Sequence, residues 1–336
     1  MFFIVLQLMG ETMRKFLAGR QCRVWMGAVI VALVAVGCIP DPQEVDTVSV
    51  PAGTFPMGDA FSEGYNVELP LHDVTLDAYE IGTYEITNQQ FDEVMTWAVR
   101  TRRARVLFDS VWCGQTELFQ LDHVACQLTW AAGRFWVERR DGRSMADHPM
   151  QLVTWYGAVA FCNWLSEALE LTPCYDLDTW ELVNIDADGY RLPTEAEWER
   201  AAAWDADTET YWRYGCSAND LTLLSANFDN HNPALLSDVP YTTVVGRFAS
   251  HSSPVGCFDM SGNVWEWCHD RYADLYYADC TGGVSNPLGP VTGEQRSLRG
   301  GGWDCNAFLN RAAGRSSKDP DRMDAGTGFR VVRRPD

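Results

Sequence analysis

Positive charge is scarce along this chain of 336 residues. Lys and Arg together number 26 against 46 Asp and Glu, which leaves a formal net charge of −20. Few cations are available to displace counterions from a phosphate backbone, so nucleic-acid binding is set aside. Charged residues make up 21% and apolar residues 46%, a balance that excludes disordered and collagen-like chains. Histidines number six, and no HxxH or HxxxH spacing sets two imidazoles on one helix face. No CxxC pair occurs, which removes a zinc ribbon. Internal repeats are missing, and so is the βαβ alternation of a doubly wound sheet. The run Gly300-Gly301-Gly302 has no Lys-Ser or Lys-Thr after it; it reads as close backbone packing, not as a phosphate cradle.

Membrane-spanning length is also lacking in the apolar run Trp25 to Gly37. That run follows Arg14, Lys15, Arg20 and Arg23 and ends at Cys38, the pattern of a secretory signal peptide over residues 1–37. Ala35-Val36-Gly37-Cys38 resembles a bacterial lipoprotein box, with Cys38 as the lipidated residue and Ala35 where Leu is usual. Residues 38–47 then read as a linker. The expectation is an exported lipoprotein on the periplasmic or outer-membrane side, held to the membrane by an N-terminal lipid anchor.

Eleven cysteines fit that compartment. Setting Cys22 and Cys38 aside, sequence-adjacent spacing suggests the pairs Cys113–Cys126, Cys162–Cys174, Cys216–Cys257 and Cys268–Cys280. Cys305 is left over, and spacing by itself does not settle the connectivity.

A heavy aromatic load of 14 Trp, 12 Tyr and 15 Phe suits a domain of irregular segments pinned by rings. Val48 to Phe55 alternates and opens like a hairpin, and His72–Leu76 and Tyr79–Ile81 read as short strands. Thr87-Asn88 can cap a helix from Gln89 to about Trp97, with Phe91 and Met95 on its buried face. Residues 100–146 look like an insertion, basic at first through Arg100, Arg102, Arg103 and Arg105 and then carrying two strand-like runs. The clearest helix runs from Trp155 to Leu169, with Val159, Cys162, Leu165 and Leu169 along one face. Thr194 and Glu197 form a capping-box pattern for another. Helices early and irregular β-structure late point to one α+β domain.

Several segments then fall into order: Val50-Pro51-Ala52-Gly53-Thr54-Phe55-Pro56-Met57-Gly58, Tyr84-Glu85-Ile86-Thr87-Asn88, and Arg191-Leu192-Pro193-Thr194-Glu195-Ala196-Glu197-Trp198-Glu199. Met260-Ser261-Gly262-Asn263-Val264-Trp265-Glu266-Trp267, Arg299-Gly300-Gly301-Gly302-Trp303 and Gly328-Phe329-Arg330 complete the series. Together they resemble the formylglycine-generating enzyme family, or sulfatase-modifying factor domain, over residues 48–334. The resemblance implies a single compact C-type-lectin-like domain with little regular secondary structure. It also implies an oxidoreductase chemistry: family enzymes convert a substrate Cys to formylglycine with O2 and a Cu(I) ion held by two thiolates.

Cys305 matches the first of those thiols and is the one candidate catalytic residue. Five residues on, where the enzymes carry the second, stands Asn310, and the usual Ser before the aromatic residue is Gly302. Cu(I) wants soft thiolates, so copper is not expected and Cys305 reads equally as a free or disulfide-paired Cys. Calcium is the expected ion. The resemblance assigns one site to Asp259 and Glu266 with the carbonyls of Gly262 and Val264, and a second to Asn227 and the carbonyl of Phe228, with Asp238 as a less certain partner. Two function classes compete. One is a non-catalytic or divergent envelope lipoprotein that binds a protein or glycan; the other is a formylglycine-generating oxidase. Trp155, Trp198, Trp265 and Trp267 read as core rings.

Overall fold

A computed structural model describes residues 41–335. The signal-peptide region and Cys38 lie outside the described residues. The alternating run Val48–Phe55 is not one strand but two, β1 (Thr47–Val50) and β2 (Gly53–Met57). Strand β1 pairs with β4 (Tyr79–Gly82) and β2 with β3 (His72–Leu76), both antiparallel. Pro51 and Ala52 separate two strands that serve different three-stranded sheets. The sheet of β1 and β4 is completed by Val332–Arg333, so the first and last strands of the described residues share one sheet.

Three helices follow, and each begins where a Thr side chain satisfies a free amide. In α1 (Asn88–Arg100), Thr87 accepts from the Gln90 amide at 3.2 Å while the Gln90 side chain accepts from the Thr87 amide at 2.9 Å. In α2 (Trp155–Ala168), Thr154 accepts from the Gly157 amide at 2.9 Å. In α3 (Glu195–Ala203), Thr194 and Glu197 close a reciprocal capping box at 3.1 and 2.9 Å.

Two apolar clusters hold these elements. One gathers α1 and α2 around Phe91, Phe119, Phe161 and Phe329, with ring centroids 5.1 to 6.3 Å apart. The other seats Trp198 and Ala201–Ala203 of α3 on Phe55, Met57 and Val74. Trp155, Trp198, Trp265 and Trp267 are all buried, each ring contributing on the order of 1.5–3 kcal/mol. The insertion, read from sequence as two strand-like runs, forms seven short strands between Arg105 and Ser144. The longest strand, Trp265–Arg271, lies inside a four-stranded sheet between Arg296–Arg299 and Thr327–Gly328.

The expected disulfides need correction. Among the described residues all nine cysteines are free thiols: Cys113, Cys126, Cys162, Cys174, Cys216, Cys257, Cys268, Cys280 and Cys305. Several point at backbone oxygens, not at each other: Cys126 to Leu128, Cys174 to Gly189 and Cys280 to Tyr276, at 3.4 to 3.5 Å. Burial pushes the thiols of Cys126, Cys174, Cys216 and Cys257 up to about 11. Protonated and packed, they act as small apolar side chains and resist oxidation.

Candidate functional site

The Arg191-to-Glu199 motif builds a buried charge clamp. All three acids of α3 meet a guanidinium: Glu197 binds Arg191 at 2.6 and 2.7 Å, Glu195 binds Arg315 at 2.8 and 3.0 Å, and Glu199 binds Arg299. Burial by itself would raise Glu195, yet Arg315 and Arg299 hold it down at about 2. The clamp is structural: it fixes α3 against the sheet carrying Arg299 and so sets the loop after that strand.

Trp198 carries the order onward, donating its indole N–H to Glu266 Oε2 at 2.8 Å. Glu266, fully buried, also takes two bonds from Arg330 at 2.6 and 2.7 Å. Asp259 lies nearby and accepts from the Gly246 amide at 2.6 Å. A third carboxylate that sequence reading missed, Glu85, accepts from the Asn263 side chain at 2.6 Å and the Val264 amide at 3.1 Å. Three buried or half-buried acids thus face a single guanidinium. Burial first, then Asp259 and Glu266, push the Glu85 carboxyl well up; burial likewise raises Asp259 to about 6. Tyr84-Glu85-Ile86 was a visible motif, but nothing local tied Glu85 to residues 178 or more positions away.

The two expected calcium motifs come together here. Asn263 donates its amide to the Asn227 carbonyl at 2.8 Å, and a Cβ on Gly262, at φ +133, would strike that same oxygen. Only glycine permits this approach. Asn227 is buried and its Oδ1 has no hydrogen-bond partner; neither does the nearby Thr243 hydroxyl. An orphaned buried acceptor costs energy unless a further group meets it. The Phe228 carbonyl accepts from the His231 amide at 3.1 Å, and Asp238 is exposed beside the Ser237 hydroxyl. No three His, Cys, Asp or Glu side chains form a ready-made metal cage among the described residues. The surplus carboxylates, the orphaned Asn227 oxygen and an all-oxygen donor set fit a hard divalent ion such as calcium.

Copper does not fit. Cys305 is half-buried, and its thiol lies 3.7 Å from Asp304 Oδ1. Burial, then the Asp304 carboxylate, push that thiol up to about 11 in the metal-free chain, and with an amide at residue 310 it stands as a single soft donor. Asn310 is turned away from it onto backbone, donating to the carbonyls of Cys305 at 3.3 Å and Asn306 at 2.7 Å. A Cβ on Gly301, at φ +75, would collide with Asn310 Oδ1. The loop is held from the other side by the amides of Asp229 and Asn230, which donate to the carbonyls of Cys305 at 2.8 Å and Trp303 at 2.7 Å. Two buried histidines stay neutral at neutral pH: burial lowers His148 to about 4 and His269 to about 3.

Comparison with known proteins agrees with this geometry. The sulfatase-modifying factor enzyme 1-like domain matches residues 38–335. The chain is 31% identical to a formylglycine-generating enzyme of Streptomyces coelicolor, covering 85% of this chain and 88% of that one. A formylglycine-generating enzyme of Thermomonospora curvata is 30% identical, covering 88% and 96%. Among solved structures, Treponema denticola variable protein 1 superposes with a TM-score of 0.61 at 27% identity, covering 86% of this chain and 95% of its own. The fold is therefore a single compact C-type-lectin-like domain of few helices and many short strands. On a match spanning nearly all of the described residues, the chain belongs to the family of the sulfatase-modifying factor enzyme 1-like domain.

Proposed function

We propose that this protein is a non-catalytic or divergent member of its family, an exported lipoprotein whose domain binds a protein or glycan of the cell envelope. One observation carries the reading. The residue five after Cys305 is an amide committed to the backbone of its own loop, so the loop closes without a second thiol. Family membership supplies a fold and not an activity, and function has to be argued at the site. The competing reading, a formylglycine-generating oxidase, draws on the identity to the Streptomyces enzyme. It would need a second soft ligand beside Cys305, and residue 310 is an amide here.

Calcium is the proposed ion. Asp259 and Glu266 with the Gly262 and Val264 carbonyls are the proposed ligands of one site, and Asn227 with the Phe228 carbonyl those of a second. Its role would be to neutralise the carboxylate surplus around Glu85 and tie residues 227–228 to 259–266.

A Cu(I) competition titration against a chelator tests the catalytic question, with Cys305→Ala as the control for the other thiols. The reading expects wild type and control to bind alike. One tight equivalent present in wild type and absent in the control would overturn it.

A further inference from the structure

The basic start of the insertion has no part in the site just described. Its strands Arg105–Leu107 and Ser110–Cys113 form a hairpin, with Leu107 opposite Ser110 and Phe108-Asp109 as the turn. Phe108 holds φ 54, a left-handed conformation that costs a bulky residue energy. Its ring is 100% exposed, and Leu107 beside it is 43% exposed. Two large apolar side chains at the apex of a protrusion are expensive to leave in water. Val106 points the other way and packs on the core, so Arg105 and Leu107 share the outward face.

Four cations lead into the hairpin along the chain and form its basic collar. Arg100, Arg102, Arg103 and Arg105 are all exposed. Arg103 lies 4.4 Å over the Trp97 ring and pairs with Glu167, and Arg105 donates to the Gly114 carbonyl. Arg100 and Arg102 have no acidic partner among the described residues. Asp109 is the one carboxylate in the turn. Residues 100–146 carry eight Arg against five Asp and Glu, whereas the whole chain stands at −20.

We propose that the Leu107–Phe108 tip docks on an anionic lipid bilayer, with the apolar pair in the interface and the arginine collar on headgroup phosphates. At about 3.3 Å per residue, Arg105 lies roughly 7–10 Å behind Phe108. That spacing matches an insertion depth of about 5–10 Å at the headgroup boundary. Charge selects a membrane over an acidic protein surface together with shape. The apex is convex and apolar, suited to a deformable apolar layer. The acidic remainder is repelled by the same surface that attracts the collar, so the molecule is oriented tip-first. This contact is independent of a lipid anchor and of the reading of Cys305.

Hydrogen–deuterium exchange on the full chain tests it, because the readout is local to the hairpin even when other segments touch lipid. Vesicles of phosphatidylcholine containing phosphatidylglycerol should slow exchange several-fold at 105–113, and high salt should abolish the effect. Phe108→Ser and the double change Arg100→Ser/Arg102→Ser should each remove the protection while leaving exchange elsewhere unaltered. Equal protection on phosphatidylcholine alone, or none on either vesicle, would overturn the proposal. Equal protection by a soluble polyanion without vesicles would overturn it too, in favour of an acidic polymer as partner.

Discussion

The side-chain amide of Asn310 donates to the carbonyl oxygen of Cys305 at 3.3 Å, stitching closed the loop in which the two residues sit five apart. A second bond to Asn306 at 2.7 Å completes the stitch. Asn310 is thus part of the loop's scaffold, and its removal should be felt as stability. Asn310→Ala removes one donor from each of two carbonyls, which keep the amides of Asp229 and Leu309, and should cost about 0.5–1.5 kcal/mol. Urea denaturation followed by tryptophan fluorescence measures this; an unchanged midpoint would show that the stitch carries no weight.

Arg330 and Glu266 make a fully buried ion pair, both side chains with no exposed surface. Such a pair adds little over an apolar replacement, but breaking it strands a charge. Arg330→Met should therefore cost about 3–5 kcal/mol, and the double variant Arg330→Met/Glu266→Gln should recover part of that loss. Unfolding free energies of the three proteins decide it. A double variant at least as damaged as the single one would contradict the pairing.

How much of this was legible beforehand follows from range. Helix starts at Thr87 and Thr194 could be read because a cap and its amide lie within four residues. Strand partners could not: the alternation of β1 and β2 is visible, yet the two serve different sheets, β1 pairing with β4 and β2 with β3. Asp259, Glu266, Asn227 and Cys305 were named through family motifs. Glu85 and Arg330, also inside such motifs, meet Asn263 and Glu266 only through tertiary folding. The cysteine pairs failed because sequence spacing carries no information about where a thiol points.

Calcium should stabilise the protein in a pH-dependent way. With the ion removed, the Asp259 carboxyl keeps its proton up to about 6 in the folded chain, against about 3.9 when unfolded. The folded state then binds more protons between those values, so stability falls as pH rises through that window. A cation displaces those protons and reverses the penalty. Adding Ca²⁺ after EDTA should therefore raise the melting temperature more near neutral pH than near pH 4, by mass action on the native state. Melting curves that ignore EDTA and Ca²⁺ throughout would reject the ion.

The central claim is that the loop of Cys305 and Asn310 is chemically silent. Incubating the full-length wild-type protein with Cu(I), O2 and a peptide bearing a sulfatase Cys motif, then searching for the aldehyde by mass spectrometry, tests it most directly. The account predicts unconverted peptide, indistinguishable from a Cys305→Ala control. Formylglycine aldehyde produced by the wild type and absent from that control would contradict it.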